Sequence, residues 1–150
     1  MKTKVYETVK KQILATIVGE TNITAKMATI SCLLKQSFDY FYWCGFYVVD
    51  PLKPEELVVG PYQGTMGCLR IPKGKGVCGT AFLEQKTQIV EDVHAIENHI
   101  TCDVNSQSEI VVPVFSDDKV IAVLDVDSDK VNSFDEIDKK YLEEIIREAF

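Results

Sequence analysis

Three cysteines in loop-forming sequence are the residues of this chain best suited to chemistry. Cys102 lies in a long polar segment with His99 three positions before it, and Cys68 and Cys78 lie in a glycine-rich segment. An imidazolium near Cys102, or a helix N-terminus at Cys78, would favour the thiolate, the nucleophilic form of cysteine. Three such thiols allow a relay in which one is oxidised and another resolves it as a disulfide. The alternatives are that Cys102 is an exposed cysteine without a reaction, or that the cysteines are buried as small hydrophobic residues.

Carboxylates at the end of a predicted strand form a second group with chemical potential. Asp125, Asp127 and Asp129 alternate, so a strand would point all three to one face. Glu109 opens the neighbouring predicted strand. If its side chain joins that face, like charges and partial burial raise carboxyl pKa values, and a neutral acid can then donate a proton. The alternative is a solvated strand end.

Metal-site patterns fit the chain poorly. The alternating acids from Asp125 to Asp129 begin like a calcium-binding loop, but Lys130 stands where that loop requires glycine. His94, His99 and the cysteines match no zinc template in their spacing, and no two cysteines form a C-x-x-C pair. We therefore expect no metal site.

The composition predicts one folded domain, residues 1–150, without nucleic-acid or membrane partners. The chain is 46% hydrophobic and 26% charged, a usual globular mixture. Its 16 basic and 23 acidic residues give a net charge of −7, which offers no basic surface for a phosphate backbone or an anionic bilayer. No signal peptide or transmembrane run is present, and the cysteine number is odd, so we expect a cytoplasmic protein.

Two helices are predicted within about residues 3–37. The second is capped by Asn22 or Thr24, continues to about Gln36, and carries Cys32 as a predicted core residue. The first ends about Gly19 and has apolar residues at every fourth position: Val5, Val9, Ile13 and Ile17.

The sheet and the site loops are predicted within about residues 41–129. Predicted strands are 41–49, 56–59, 69–71, 87–91, 109–115 and 119–127, with a tight turn at 116–118. A glycine-rich loop from Gly60 to Gly79, with a helix beginning near Gly76, and a long polar loop at 93–108 connect them. A capping box beginning at Ser133 predicts a last helix at about 134–149. Without a repeated βαβ pattern, this order favours an α+β fold with a largely antiparallel central sheet flanked by helices.

Motifs spread over about residues 40–138 carry a family resemblance. They are Trp43-Cys44-Gly45-Phe46-Tyr47, Gly60-Pro61-Tyr62-Gln63-Gly64, Cys68-Leu69-Arg70-Ile71-Pro72, Gly74-Lys75-Gly76-Val77-Cys78-Gly79, Val90-Glu91-Asp92-Val93-His94, His99-Ile100-Thr101-Cys102-Asp103, Ser108-Glu109-Ile110-Val111-Val112-Pro113, Val123-Leu124-Asp125-Val126-Asp127-Ser128 and Phe134-Asp135-Glu136. Together they resemble the free methionine-R-sulfoxide reductases, small single-domain enzymes with a GAF fold.

The resemblance implies a cysteine mechanism. Cys102 would attack the sulfoxide sulfur and become a sulfenic acid, and Cys68 would resolve it as a disulfide. Cys78 would be an auxiliary thiol, or an alternative disulfide partner. The external reductant would be thioredoxin, with no bound cofactor, and the enzyme would be a homodimer.

The resemblance also implies a pocket for free methionine sulfoxide. Three acids match the family's pocket carboxylates, which would protonate or polarise the sulfoxide oxygen and hold the amino group: Glu109, Asp125 and Asp127. An aromatic wall would contact the sulfur and its methyl group. Trp43 and Tyr47 share one face of the predicted strand and Phe46 lies on the other, so one of these faces would line the pocket.

Two non-catalytic functions are alternatives to the enzyme. A GAF sensor would bind a small ligand, such as a cyclic nucleotide or a tetrapyrrole, and signal to a neighbouring domain. Three loop cysteines around one carboxylate cluster favour the enzyme over that sensor. A thiol redox sensor would instead use Cys68 and Cys102 as a switch without turnover. Repeated turnover with a supplied dithiol distinguishes the reductase from the switch.

Overall fold

A six-stranded antiparallel sheet forms the centre of the structure, a computed structural model that describes residues 1–100 and 102–150. The strands lie in the order β3-β2-β1-β6-β5-β4. Their bounds are β1 Trp43–Asp50, β2 Lys53–Gln63, β3 Arg70–Pro72, β4 Gln88–Val90, β5 Ser108–Ser116 and β6 Lys119–Ser128. The helices are α1 Lys2–Ile17, α2 Ile23–Ser37, α3 Gly76–Glu84 and α4 Glu136–Ala149, with a 3₁₀ turn at Val93–Ala95. The predicted α+β class is therefore confirmed.

Side-chain caps fix the starts of α2 and α4. The Asn22 side chain accepts a hydrogen bond from the Ala25 N–H at 2.9 Å, which makes it the cap of α2. The cap of α4 is Asp135, whose side chain accepts from the amides of the first turn while Asp138 accepts from the Asp135 N–H at 2.8 Å. The predicted capping box from Ser133 was wrong, because the Ser133 hydroxyl donates to Ser128 Oγ at 2.7 Å instead.

Cys32 is only partly buried, so its predicted place in the core was wrong. The buried face of α2 holds Met27, Ile30, Ser31 and Leu34, which follow the helical spacing of three and four residues. Ser31 can occupy this apolar face because its hydroxyl donates to the Met27 carbonyl at 2.8 Å.

β2 is longer than the predicted segment 56–59. Pro54 and Gly60 lie inside it, although both residue types usually end strands. The strand persists because β1 pairs along one edge and β3 along the other, with Tyr62 opposite Gly45. Pairing between strands therefore overrides the local signals for a loop.

The β5–β6 hairpin ends in a two-residue turn. Asp117 and Asp118 both have positive φ, 50° and 63°, as a type I′ turn requires. The pairing register shifts between Val114 and Phe115, where β6 carries one more residue than β5. Ile121 and Ala122 consequently both pack toward the same side of the sheet.

The two faces of the sheet are covered differently. Helices α1, α2 and α4 pack an apolar core against one face, with Ile13, Leu34, Leu124 and Leu142 fully buried there. The other face is covered by α3 and by the loops that precede β3 and β5. Within the described residues, no helix has the length and apolar character needed to cross a membrane.

Candidate active site

A pocket opens on the α3 side of the sheet, where β1, β5 and β6 meet the loops that carry Cys68 and Cys102. It is lined by Trp43, Tyr47, Met66, Gly67, Cys68, Ile71, Lys75, Gly76, Val77, Cys78, His99, Ile100, Cys102, Asp103, Ser106, Glu109, Asp125 and Asp127. The structure thus brings the predicted cysteines, carboxylates and aromatic residues together, except Phe46 and Asp129.

Cys68 and Cys102 form a disulfide at this pocket. Their Cα atoms are 5.5 Å apart, within the usual range for a disulfide, although 34 positions separate them in the sequence. Cys102 is exposed and Cys68 is half-buried, so the bond lies where a dissolved thiol can reach it. The pairing implied by the resemblance is present in the structure.

Hydrogen bonds also hold the two cysteine loops together. The Asp103 carboxylate accepts from Thr65 Oγ1 at 2.5 Å and from the Tyr42 hydroxyl at 2.9 Å. Trp43 Nε1 donates to the Thr65 carbonyl at 2.7 Å. The hydrogen bond from Thr65 is the largest influence that lowers the pKa of Asp103. These contacts join the Cys102 loop to the Cys68 loop in addition to the covalent bond.

The hairpin register places three acids on the floor of the pocket. Glu109 on β5 lies directly opposite Asp127 on β6, and Asp125 lies two residues before Asp127 on the same face. All three side chains are buried. Asp129, in contrast, follows the end of β6 and is exposed, so the prediction that it joins this face was wrong.

Burial raises the pKa of each of these three carboxyls. The negative charge of Asp125 raises the pKa values of Glu109 and Asp127 further. Oδ1 of Asp125 is buried and has no hydrogen-bond partner among the described residues. The raised pKa values favour the neutral form of these carboxyls, and Asp125 Oδ1 is a polar atom left for a ligand.

Cys78 stands on α3 beside these acids, and its thiol lies 3.9 Å from Glu109 Oε2 as a donor. Burial, followed by the charges of Asp125 and Glu109, raises the pKa of the thiol well above its ordinary value. The thiolate predicted at the start of this helix was therefore wrong, because desolvation and the carboxyls outweigh the helix dipole.

Within the described residues, one group has the spacing of metal ligands: Cys78, Glu109 and Asp125, with donor atoms within 4.8 Å of one another. A metal ion requires the deprotonated forms of these ligands. The raised pKa values of all three groups oppose that state. The trio fits a hydrogen-bonding pocket floor better than a metal centre.

His99 lines the pocket near the cysteine loop, but it is not the predicted imidazolium. Burial lowers its pKa, and the charge of His94 lowers it further. Nδ1 of His99 is buried without a hydrogen-bond partner in the described part of the chain. A neutral imidazole at this place can donate or accept a hydrogen bond, whereas it cannot stabilise a thiolate by charge.

Aromatic rings form one wall of the pocket. The rings of Trp43 and Tyr47 are stacked with centroids 5.7 Å apart. Gly67 lies against both rings, because a Cβ atom there would stand 2.9 Å from Trp43 Cζ2 and 3.0 Å from Tyr47 Oη. Phe46 points to the opposite face of the sheet and is buried in the helix-side core, where its ring lies 6.0 Å from that of Phe150. Of the two predicted aromatic faces, the pocket uses the one with Trp43 and Tyr47.

Sequence reasoning missed four polar or flexible lining residues: Met66, Lys75, Asp103 and Ser106. Lys75 is the N-cap residue of α3 and stands between two glycines, a pattern that could have marked it as a residue facing a ligand. Ser106 and Met66 lie in loops, where spacing does not indicate the direction of a side chain. Lys75 adds a positive charge to a pocket that otherwise holds acids.

Comparisons with known proteins agree with this site. A family model described as a GAF domain matches residues 33–149. GAF domain-containing protein A of Dictyostelium discoideum is 50% identical over 142 residues, covering 95% of this chain and 88% of that protein. The free methionine-R-sulfoxide reductase of Escherichia coli (strain K12) is 40% identical over 145 residues, covering 97% of this chain and 86% of that protein.

A solved structure gives the same result for the whole fold. The X-ray structure of free methionine-R-sulfoxide reductase from Neisseria meningitidis, in complex with its substrate, superposes with a TM-score of 0.95 at 44% identity. The match covers 99% of this chain and 88% of that one. The chain therefore belongs to the GAF-domain family of free methionine-R-sulfoxide reductases.

Proposed function

We propose that this protein reduces free methionine-R-sulfoxide to methionine, with Cys102 as the nucleophile. The observation that carries the proposal is the Cys68–Cys102 disulfide at a pocket whose floor holds three buried carboxyls with raised pKa values. A reductase of this kind needs a thiol pair that can be oxidised and an acid that protonates the departing oxygen. Both stand around the same pocket.

The chemical steps balance with two electrons from the thiols. The Cys102 thiolate attacks the sulfoxide sulfur and forms a bond between the two sulfurs while the sulfoxide oxygen takes up a proton. The protonated oxygen then passes to the Cys102 sulfur as the substrate S–O bond and the new S–S bond break, and the products are methionine and a Cys102 sulfenic acid. The Cys68 thiol then attacks the sulfenic sulfur, which forms the disulfide and releases water. In this scheme Cys78 is a buried neutral thiol that forms part of the pocket wall.

Glu109, Asp125 and Asp127 supply the acid. A sulfoxide oxygen leaves more readily once it is protonated, and a carboxyl group that stays neutral at physiological pH can give that proton. The unpartnered Asp125 Oδ1 marks where a ligand atom completes the hydrogen bonding of the floor. We assign the proton donation to this coupled set rather than to one member.

The remaining pocket groups suit a free amino acid. An arriving ammonium group favours ionisation of the nearest carboxyl, so the same acid cluster can hold the amino group. Lys75 supplies a positive charge for the α-carboxylate. The Trp43 and Tyr47 rings offer favourable contacts to sulfur and methyl groups.

Recycling of the disulfide requires an external dithiol, and we propose thioredoxin for this role, with no bound cofactor. Thioredoxin can supply the two electrons by exchange with the disulfide. A cycle that returns to free thiols favours a reducing compartment, so we infer a cytoplasmic location. The homodimer implied by the family resemblance stays a prediction.

The test is NADPH oxidation coupled through thioredoxin reductase and thioredoxin, with the R and S epimers of free methionine sulfoxide assayed side by side. We expect sustained turnover with the R epimer and none with the S epimer. N-acetylmethionine-R-sulfoxide, which lacks the ammonium group, should be reduced poorly. Absence of turnover with every substrate, despite active thioredoxin and reduced cysteines, would refute the enzyme.

Cys68→Ser tests the division of roles between the cysteines. The variant should still release methionine once per Cys102 thiol, because the first step needs only the nucleophile, while recycling by thioredoxin is impaired. A Cys68→Ser protein that recycles as fast as the parent would remove Cys68 from the resolving role. A protein that consumes one equivalent of oxidant and then stops, even with thioredoxin present, would be the redox switch instead.

A further inference from the structure

Exposed apolar side chains are concentrated beside the disulfide. Of the six most exposed large apolar residues in the described part of the chain, three flank the bonded cysteines: Met66 at 79%, Leu69 at 74% and Val104 at 75%. Each is within two residues of Cys68 or Cys102 in the sequence. The other three, Met1, Val18 and Leu52, are scattered at the N-terminus, after α1 and in the β1–β2 turn.

A single exposed apolar side chain needs no explanation, whereas a group of them around one functional bond indicates an interaction surface. We call Met66, Leu69 and Val104 the apolar collar. Its members come from two separate loops, which the disulfide and the hydrogen bonds of Asp103 hold together. The collar is therefore prepared before a partner arrives, and little ordering is left for binding.

We propose that the apolar collar is the docking surface for the protein dithiol that reduces the Cys68–Cys102 disulfide. The proposal rests on the proposed function and adds the place where the reductant binds. The occupant follows from the reaction, because a thiolate can reduce a disulfide only by contacting one of its sulfurs. A protein thiol that reaches this bond must cover the residues beside it.

The exchange proceeds through a covalent complex with balanced electrons. The partner thiolate attacks one sulfur of the disulfide and forms a mixed disulfide, and the other cysteine leaves as a thiolate. The second thiol of the partner attacks the mixed disulfide, which frees the reduced protein and oxidises the partner. A bond of about 2 Å between the two chains brings their surfaces together around it, so uncharged apolar residues there gain by losing water.

The test compares a collar variant with a matched control. The collar variant is the double substitution Leu69→Ser and Val104→Ser, and the control is Leu52→Ser with Val18→Ser, which removes the same side-chain types from exposed sites elsewhere. Each protein is assayed at saturating methionine-R-sulfoxide over a range of thioredoxin concentrations, and again with dithiothreitol as the only reductant. Dithiothreitol is too small to need a docking surface.

We expect the collar variant to lose about fivefold to tenfold in kcat/KM for thioredoxin, while its turnover with dithiothreitol stays within about twofold of the parent. The control should match the parent with both reductants. A collar variant that keeps the thioredoxin kcat/KM of the control would overturn the docking surface. Equal losses with both reductants would also overturn it, since they would indicate a structural role. A parent protein without turnover with either reductant would refute the proposed function itself.

Discussion

The two faces of the central sheet are formed by the same strands but bury different kinds of side chain. The face toward α1, α2 and α4 is closed by apolar side chains, whereas the face toward α3 holds three buried carboxyls, a buried thiol and an opening to solvent. Leu124 and Asp125 show the difference within two neighbouring residues of β6. One face is built for burial of apolar area, and the other accepts the cost of buried polar groups for reactivity.

The contrast explains why the sheet can tolerate its reactive face. Pockets with unpaired buried polar atoms lower stability, and proteins keep them where the rest of the structure compensates. Here the compensation lies across the sheet, where three helices contribute a continuous core. Substitutions on the two faces should consequently change stability in opposite directions.

Cys102→Ser should have the largest effect and should act on activity alone. Serine cannot be oxidised in place of the thiol, so turnover of methionine-R-sulfoxide should fall by at least about a thousandfold. Unfolding under reducing conditions should match the parent, because Cys102 is exposed. Cys32→Ser, at a partly buried cysteine away from the pocket, is the control and should retain activity. Retained turnover in Cys102→Ser would move the chemistry to another residue.

Leu124→Ala should give the largest loss of stability, about 3 kcal/mol in the free energy of unfolding. The side chain is fully buried on the helix side, and the substitution leaves a cavity there. Denaturant unfolding measures the change, and Val131→Ala at an exposed site should change stability by less than about 0.5 kcal/mol. A loss equal to that of the control would mean that the helix-side core does not carry the stability assigned to it.

Glu109→Gln should change stability in the opposite direction to Leu124→Ala, by increasing the free energy of unfolding. Burial raises the pKa of Glu109 in the folded protein. The carboxyl therefore favours folding at pH values below 4.5, its ordinary pKa, and this contribution to stability is lost as pH rises through the raised pKa. The amide does not titrate, so the free energy of unfolding of the variant relative to that of the parent should rise as pH is raised from about 4.5 to about 9. Activity should fall by about tenfold or more, because the amide is not an acid.

Urea unfolding of both proteins across that pH range tests the sign. Asp129→Asn, at an exposed carboxyl of the same segment, is the matched control and should leave both the pH dependence and the activity unchanged. Equal pH dependence in Glu109→Gln and the parent would show that the Glu109 carboxyl titrates as it does in the unfolded chain. The two faces would then differ less than the structure indicates.

Asp103→Ala should have the smallest effect. It removes the acceptor for Thr65 and Tyr42, so stability should fall by about 1 kcal/mol and formation of the Cys68–Cys102 disulfide should slow by about threefold. Quenched flow with an alkylating reagent measures the rate of disulfide formation after one equivalent of substrate is added. Tyr42→Phe removes one of these bonds and should fall between the parent and Asp103→Ala. Unchanged disulfide formation would mean that the loops need no such tether.

Alternation along the chain predicted much of the site, and packing decided the rest. The spacing of Asp125 and Asp127 was enough to place both on one face. Trp43 and Phe46 could not be separated by sequence, because both faces of β1 are buried and alternation alone does not say which face meets the pocket. The sequence also did not predict that Ser31 lies on the buried face of α2, because this depends on the hydrogen bond from its hydroxyl to the Met27 carbonyl.

The state of Cys78 depended on residues far away in the sequence. A helix start suggested a thiolate, but Glu109 and Asp125 come 31 and 47 positions later, and only the folded sheet brings them to the thiol. His99 is similar, since its burial comes from the loop that encloses it. The pKa values of a site depend on the tertiary structure, so local sequence patterns predict them only in part.

The extra residue in β6 determines which acids can meet. Opposite residues of an antiparallel pair point to the same side, and from the turn at Asp117 and Asp118 an uninterrupted register would place Glu109 opposite Val126, toward the helices. The bulge at Ile121 shifts the pairing by one, and Glu109 then lies opposite Asp127. Deletion of that one residue would restore the uninterrupted register, so the side chains of one strand beyond the bulge would point to the opposite side of the sheet from their present partners. The register of the hairpin therefore decides which acids share the pocket floor, and it is set at a position that has no chemistry of its own.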